Sequence, residues 1–157
     1  MRPAKAGPGA LRPAGAADLD RLAELDRIAF GVEAWPGDLL AAELAGPGRL
    51  YLVAEVDGRV AGYAGLCRGG GEAEVMTLAV DPAARRRGLG RALMAALVEA
   101  ARQAGQAAVG LTVAQDAAPA LALYRSLGFE AVGRLPGYYQ ASGRDGRRMR
   151  LRLDQPG

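Results

Sequence analysis

The chain of 157 residues contains no histidine, a single cysteine and few aromatic residues, which make up 5% of the sequence. Without histidine, Ser-His and Cys-His catalytic pairs and His-ligated metal sites are excluded. The lone cysteine, Cys67, rules out an intramolecular disulfide and suits a reducing compartment, so we expect a cytoplasmic location. Because Cys67 ends an apolar run, we predict a buried structural thiol rather than a nucleophile.

Long apolar runs, metal-ligand spacings and a strong charge imbalance are absent as well. No run approaches the roughly 20 apolar residues that a membrane span needs, and no cluster of carboxylates is spaced to hold a metal. The 20 basic and 17 acidic residues give a net charge of +3, which is too small to make the whole surface bind polyanions. We therefore expect no membrane, metal or nucleic-acid partner, and any basic function must be local.

What the sequence does contain is enough apolar material for one folded domain. Hydrophobic residues make up 50% of the chain, which at this length can build a single core. Residues 1–9 are rich in Pro, Gly and Ala and are predicted to form a flexible tail. Residues 10–154 are predicted to form one domain without repeats or an internal linker.

The spacing of apolar residues predicts a mixed α/β domain in the order β-α-α-β-β-β-α-β-α-β-β. Asp57-Gly58 separates two β-rich runs and predicts a tight hairpin. The apolar run that ends at Asp81-Pro82 predicts a buried central strand, and a helix follows between Gly88 and Gly105.

Two more predictions concern the ends of this pattern. Asp18 is predicted to cap a first helix that runs to Phe30. Near the C-terminus, two strands are predicted with a turn at 143–146. The alternation of residues 143–152 predicts that the last strand lies at an exposed edge of the sheet with one polar face.

The stretch RRRGLG, from Arg85 to Gly90, joins the predicted central strand to the helix that follows. Gly88 and Gly90 lack a Cβ atom, so a ligand can approach the backbone closely. The first amides of a helix have no intrahelical partner and the helix dipole adds positive potential, which together favour a phosphate. On spacing alone, a phosphate cradle and a turn with solvated arginines fit this stretch equally well.

Several motifs, in this order, resemble the GNAT superfamily of N-acetyltransferases. RRRGLG matches the Arg/Gln-x-x-Gly-x-Gly/Ala signature of the superfamily, VMTLAVDP resembles its central strand, and ALALYRSLGF resembles its usual later motif. Two further stretches, FGVEAWPGDLLAAEL and PGYYQASGRDGRRMRLRL, are similar to the RimI type, the ribosomal-protein alanine N-acetyltransferases. The resemblance spans about Leu11 to Leu153. It implies the α/β GNAT fold, a mixed, mostly antiparallel central sheet flanked by helices, with a splayed central strand that binds acetyl-CoA.

The resemblance also assigns residues to the cofactor and to the acceptor. Acetyl-CoA would lie along the central strand with its pyrophosphate in the glycine turn, and no metal is implied. The acceptor would be a protein N-terminus, such as that of a ribosomal protein, lying against Trp35, Tyr138 and Tyr139. Core packing explains Trp35 equally well. The cofactor positions are Leu78, Ala79, Val80, Arg85, Arg86, Arg87, Gly88, Leu89, Gly90 and Arg91.

For catalysis, the resemblance assigns Tyr124 as the general acid that stabilises or protonates the leaving CoA thiolate. RimI-type enzymes carry a glutamate as general base where this chain has Thr112, and Ala117 replaces an asparagine that is common in the following loop. Threonine cannot take a proton near neutral pH, so a water chain or a distant carboxylate would have to remove the proton of the acceptor amine. The candidates are Glu74 and Glu33, followed by the weaker Glu72 and Asp116.

Two alternative functions remain open on the sequence. One is a GNAT acetyltransferase of a small-molecule amine, against which the Tyr-Tyr hairpin argues. The other is a catalytically weak acetyl-CoA-binding module that lost its base. In the transferase, we expect the amine to attack the thioester directly, because the sequence offers no convincing nucleophile. We also expect a monomer or a weak dimer.

Overall fold

The computed structural model describes residues 10 to 153, so the predicted tail over residues 1–9 and the last predicted domain residue, 154, lie outside it. Within this range the elements follow the predicted order. The strands are β1 (Ala10–Pro13), β2 (Arg49–Val56), β3 (Arg59–Cys67), β4 (Glu72–Val80), β5 (Ala108–Ala114), β6 (Glu130–Tyr139) and β7 (Arg144–Arg152). The α-helices are α1 (Leu19–Phe30), α2 (Gly37–Ala45), α3 (Leu89–Gln103) and α4 (Ala118–Ser126).

The strands form one sheet in the order β1-β2-β3-β4-β5-β7-β6. In the described part of the chain β4 and β5 run parallel, and all other neighbours are antiparallel. The predicted mixed, mostly antiparallel sheet is therefore confirmed. The prediction that the last strand lies at an edge is wrong, because β7 is enclosed between β5 and β6. Two of its alternating arginines, Arg148 and Arg150, bind carboxylates on β4, a pairing that a local pattern cannot reveal.

The turns of two hairpins follow from their backbone conformations. Asp57 and Gly58 have φ values of 53° and 77°, which are the left-handed values that a two-residue type I′ turn requires, so the predicted hairpin is confirmed. The last hairpin turns at residues 140–143 rather than at the predicted 143–146. Gly143, with φ 78°, closes that turn, and Arg144 already pairs with Tyr139 across the hairpin.

Asp18 precedes α1 but does not cap it in the predicted way. Its carboxylate accepts hydrogen bonds from Arg12 and from the backbone N–H of Gly15, and none from the amides of α1. The hydrogen bonds from Arg12 lower the pKa of Asp18, outweighing the opposite effect of burial. Asp18 therefore ties β1 to the start of α1.

The sheet separates two hydrophobic cores. α3 and α4 pack on one face, where Leu93, Leu97 and Leu121 are buried. α1 and α2 pack on the other face, against β2 to β4, where Leu22 and Leu40 are buried. On this second face, β7 carries Arg148 and Arg150, which bind Glu74 and Glu72 of β4.

β4 and β5 pair at one end and then separate. Glu72 to Glu74 lie opposite residues 108–110, and beyond them the paired register of the two strands ends. The splayed strand that the resemblance implied is therefore present. Its consequence is a cleft that opens through the sheet between the two strands.

A bulge on the side of β4 that pairs with β3 changes the alternation of the β4 side chains. Gly65 pairs with Thr77 and Leu66 with Val75, which leaves Met76 without a partner. The extra residue shifts the alternation, so that Leu78 faces the core of α3 while Met76 faces the core of α1.

Candidate functional site

The cleft between β4 and β5 is a cavity of about 690 Å³. Its walls combine the separated part of β4 with residues of α1, α4 and the turn before α3. Of the predicted cofactor positions, those that line the cavity are Leu78, Ala79, Val80, Arg85, Arg86 and Gly90. The structure thus brings the predicted strand and the predicted glycine turn together around one space.

Asp81 fixes the point at which β4 turns toward α3. One carboxylate oxygen accepts the backbone N–H of Ala83 at 3.0 Å, and the other accepts Arg21 of α1 at 2.6 Å. These hydrogen bonds lower the pKa of Asp81, so its carboxylate remains charged near neutral pH. The turn after β4 is therefore anchored on both sides before the arginine run begins.

The arginine run has an unusual backbone. Within residues 10–153, Arg86 and Asp57 are the non-glycine residues with positive φ, and Arg86 has φ 67°. Gly88, immediately before α3, has φ 77°. A left-handed residue with a Cβ atom costs about 1 kcal/mol, and such strain concentrates at functional sites.

The backbone amides that follow form a candidate anion site beside the cavity. In the described range, the backbone N–H groups of residues 86–91 donate to no carbonyl or side chain, and the first helical bond runs from Ala92 N–H to Gly88 O at 2.9 Å. Free amides at a helix N-terminus and the helix dipole both favour an anion. Of the two interpretations left open by the spacing, this geometry favours the phosphate cradle.

The side chains around the cradle contribute unequally. Arg85 and Arg86 are exposed and line the cavity, whereas Leu89 is buried in the α3 core and can offer only its backbone. The Arg91 guanidinium donates to Ser126 Oγ of α4 at 2.7 Å. Arg91 therefore links the cradle helix to α4, and its role toward the cofactor remains a prediction, as does that of the half-buried Arg87.

Tyr124 of α4 forms part of the cavity wall. Its side chain is 7% exposed and packs edge-on against Phe129 at a ring distance of 5.9 Å. The hydroxyl donates no hydrogen bond within the described chain, which leaves it available to a ligand. Burial, with a smaller contribution from nearby Tyr139, raises the pKa of Tyr124 above its ordinary value. Tyr124 therefore stays protonated near neutral pH and can act as a hydrogen-bond donor.

A second, adjoining cavity of about 560 Å³ contains the predicted acceptor residues. Trp35, Tyr138 and Tyr139 all line it. Trp35 is half-buried and also packs against the α1 core, so its packing role is present and its role toward the acceptor remains a prediction. The rings of Tyr138 and Tyr139 meet edge-on at 4.9 Å, and burial, followed by the neighbouring Tyr138, raises the pKa of Tyr139 to about 12.

Glu74 lines the acceptor cavity, but both of its oxygens are occupied. Arg148 Nη1 and Nη2 donate to them at 2.5 and 2.7 Å. Arg148 Nη1 also donates to Thr112 Oγ1 at 3.4 Å. A Cβ atom at Gly110 would lie within 2.4 Å of Arg148 Nη2, so glycine makes room for this bidentate pair.

Glu33 is held differently from Glu74. One oxygen, Oε1, accepts the backbone N–H of Ser142 at 2.8 Å, which links the segment before α2 to the β6–β7 turn. The other oxygen accepts no hydrogen bond in the described part of the chain, and Glu33 lines both cavities. The weaker candidates are bound on the surface: Glu72 to Arg150 and Asp116 to Arg144, and each arginine lowers the pKa of its carboxylate.

The sequence interpretation missed two residues of this region, Arg148 and Asp26. Arg148 lies on β7, 74 residues from its partner Glu74. Asp26 lines the larger cavity, is 2% exposed, and sits one helical turn after Leu22 in the buried stripe of α1. A carboxylate in an apolar stripe is a signal that the sequence does offer, because such a residue needs buried partners.

Three expectations about other sites can be compared with the structure. Cys67 is partly exposed, and Arg49 Nη1 lies 3.0 Å from its sulfur. The prediction that this thiol is buried is therefore wrong. Residues 10–153 contain no group of three His, Cys, Asp or Glu side chains placed to hold a metal ion. No helix in that range is long and apolar enough to cross a membrane.

Comparisons with known proteins agree with this geometry. The N-alpha-acetyltransferase RimI of Mycobacterium tuberculosis is 44% identical over 145 residues, which are 89% of this chain and 90% of that protein. An uncharacterized Mycobacterium leprae protein is 44% identical over 147 residues, or 90% of this chain, which spans 39% of that longer protein.

Solved structures give the same result. The ribosomal-protein-S18-alanine N-acetyltransferase from Escherichia coli matches with a TM-score of 0.85 and 29% identity, over 94% of this chain and 96% of that chain. The yncA structure from Salmonella typhimurium, with its cofactor acetyl-CoA, matches with a TM-score of 0.79 and 26% identity, over 94% and 95%. The acetyltransferase (GNAT) family profile matches residues 19–129. This chain belongs to the acetyltransferase (GNAT) family.

Proposed function

We propose that this protein is an acetyl-CoA-dependent N-acetyltransferase that acetylates the α-amine of a protein N-terminus, of the ribosomal-protein alanine type. The observation that carries the proposal is the pair of adjoining cavities. One contains the amide cradle and the separated strand β4, and the other contains Trp35, Tyr138 and Tyr139. The similarity to RimI and to the Escherichia coli enzyme supports a protein acceptor.

The residues present fit acetyl-CoA. The free amides of residues 86–91 and the side chains of Arg85 and Arg86 suit the pyrophosphate, and Leu78 to Val80 suit the pantetheine arm and the acetyl group. Bound there, acetyl-CoA supplies the acetyl group as a thioester with CoA as the leaving thiolate. Because β4 has no strand partner beyond Glu74 on the side of β5, its backbone N–H groups can hold the acyl oxygen.

Tyr124 assists the leaving group. A free thiol has a pKa of about 8.5, whereas burial raises the pKa of Tyr124 above the ordinary tyrosine value of about 10. Complete proton transfer from Tyr124 to the thiolate is therefore unfavourable. A hydrogen bond from its neutral hydroxyl is favourable, and it stabilises the thiolate as the charge develops.

Glu33 is the proton acceptor that the geometry favours. Glu33 lines both cavities and one of its oxygens accepts no hydrogen bond within residues 10–153, whereas both oxygens of Glu74 are bound by Arg148. An α-amine needs little help from a base to lose its proton, because its pKa of about 7.7 to 8.0 leaves part of it neutral at cellular pH. A lysine side chain, with a pKa of about 10.4, would demand more of the base.

The test is an acetyl-CoA turnover assay with a panel of peptides that differ in their first residue, run beside small amines such as polyamines and amino acids. Turnover of alanine-starting peptides supports the proposal. Turnover confined to small amines would replace it with the small-molecule alternative. Binding of acetyl-CoA without turnover of any amine would leave only the binding module. The cytoplasmic location and the monomer or weak dimer remain predictions.

A further inference from the structure

Asp26 differs from the other buried carboxylates in the described chain. Asp18 and Glu43 are each 8% exposed and each has an arginine partner, Arg12 and Arg49. Asp26 is 2% exposed, and no lysine or arginine nitrogen in residues 10–153 lies within 4.0 Å of it. A buried carboxylate without a cation is expensive in free energy, which is why such residues are rare.

The partners of Asp26 are neutral and firmly placed. Tyr63 of β3, which is fully buried, donates its hydroxyl to Asp26 Oδ1 at 2.6 Å. The backbone N–H of Trp35 donates to Oδ2 at 2.7 Å. Burial and the hydrogen bond to Asp26 raise the pKa of Tyr63, so it remains a donor. These two bonds fix the orientation of the carboxylate, but they do not neutralise its charge.

Asp26 forms part of the wall of the larger cavity. Asp26 lines that cavity together with Trp35 and Thr77, while Tyr124 forms another part of the same wall. The other charged side chains that line it are Glu33, Arg85, Arg86 and Arg144. Arg144 is bound to Asp116, and the two arginines of the cradle belong to the phosphate end. None of these arginines is paired with Asp26, so its carboxylate is available as a counter-charge for a cation that enters the cavity.

We infer that Asp26 is a specificity-determining residue whose buried carboxylate is the counter-charge for the protonated α-amine of the acceptor. The inference rests on the proposed function, because it requires an acceptor bound in the smaller cavity to extend its α-amine past Trp35, which lines both cavities, into the larger one. An α-amine with a pKa of about 7.7 to 8.0 arrives mostly protonated at neutral pH. Trp35, which lines the acceptor cavity, donates its backbone N–H to the same carboxylate, and this hydrogen bond fixes the position of Trp35 relative to Asp26.

The test compares two ligands in the presence of CoA, so that no acetyl group is transferred. One is an alanine-starting peptide, and the other is the same peptide with a propionyl group in place of the alanyl residue, which removes only the α-amine. We expect the wild-type protein to bind the amine at least about tenfold more tightly, as charge pairs in buried sites do. In Asp26→Asn, which keeps the shape of the side chain, the two affinities should agree within about twofold.

Two matched variants distinguish loss of the Asp26 charge from a general disturbance of the buried structure. Tyr63→Phe removes a hydrogen-bond donor but keeps the Asp26 charge, and it should retain the preference for the amine. Asp18→Asn removes a buried carboxylate outside both cavities, and it should also retain the preference. If Asp26→Asn weakens both ligands equally, Asp26 only holds the Trp35 segment and the inference is overturned.

The wild-type protein alone can overturn the inference, should Asp26→Asn fail to fold. Equal affinity for the two ligands in the wild type overturns the inference without any variant. Turnover of the alanine-starting peptide with acetyl-CoA is measured in the same preparation. Turnover without a preference for the amine removes only the role of Asp26, whereas no turnover removes the proposed function itself.

Discussion

Thr112 and Arg148 lie opposite each other on β5 and β7, and Arg148 reaches past Thr112 to bind both oxygens of Glu74. The position at which RimI-type enzymes carry a glutamate is therefore occupied by a threonine beside a cation. The pair with Glu74 raises the pKa of Arg148 and keeps it charged. This arrangement leaves Glu33, rather than Glu74, free to accept a proton.

Substitution of the two glutamates should separate their roles. Glu33→Gln should lower kcat most at low pH, where more of the acceptor amine is protonated and must lose its proton. Glu74→Gln should instead lower stability, because it leaves the Arg148 charge with one partner fewer. The measurements are the pH dependence of kcat and the midpoint of urea unfolding. Equal pH profiles for Glu33→Gln and the wild type would exclude Glu33 as the proton acceptor.

Removal of the Tyr124 hydroxyl should affect the chemical step. We expect Tyr124→Phe to lower kcat by about 100-fold, with no change in the affinity for acetyl-CoA, because in our proposal the hydroxyl acts on the leaving thiolate. Tyr51→Phe is the matched control, since its buried hydroxyl binds Glu43 at 2.7 Å and Tyr51 lines neither cavity. Steady-state kinetics check the prediction, and a kcat close to that of the wild type in Tyr124→Phe contradicts it.

Gly88 and Gly105 form a second matched pair. They have φ values of 77° and 75°, and a Cβ atom on either would meet nothing within 4 Å. Alanine at either position should therefore cost about 1 kcal/mol of stability through the backbone alone. Only Gly88→Ala should raise the KM for acetyl-CoA several-fold, because Gly88 lies in the amide cradle. A similar KM for both variants would place the phosphates elsewhere.

Part of the fold and of this site can be predicted from neighbouring residues in the sequence. The rest depends on contacts between residues that are far apart in the chain. The Asp57-Gly58 hairpin and the glycine turn before α3 are predictable because a left-handed backbone restricts the residues that fit. The position of β7 inside the sheet is not, since the same alternation of arginines fits an exposed edge. The buried partner of Asp26 is Tyr63, 37 residues away, and only the fold brings the two together.

The anchor at the start of α1 gives a prediction for acid stability. Hydrogen bonds from Arg12 lower the pKa of Asp18 in the folded state. The stabilisation is therefore complete above the unfolded pKa of about 3.9 and is lost as the pH falls below it. Asp18→Asn should lower the free energy of unfolding by about 2 kcal/mol at pH 7 and by much less at pH 3.

A surface carboxylate provides the control for this experiment. Glu99 pairs with Arg102 on the exposed face of α3. Glu99→Gln should change the free energy of unfolding by less than about 0.5 kcal/mol at either pH, because solvent screens exposed ion pairs. Urea unfolding at the two pH values supplies both numbers. An equal loss for Asp18→Asn at pH 7 and pH 3 would contradict the role of the Arg12 pair.

Mass spectrometry can show which nitrogen atom of a peptide this protein acetylates. The wild-type protein is incubated with acetyl-CoA and a peptide that begins with alanine and carries an internal lysine, and fragmentation locates the acetyl group. We expect one acetyl group, on the α-amine of the alanine. An acetyl group on the lysine side chain alone, or none on the peptide while a small amine in the same mixture is acetylated, would contradict it.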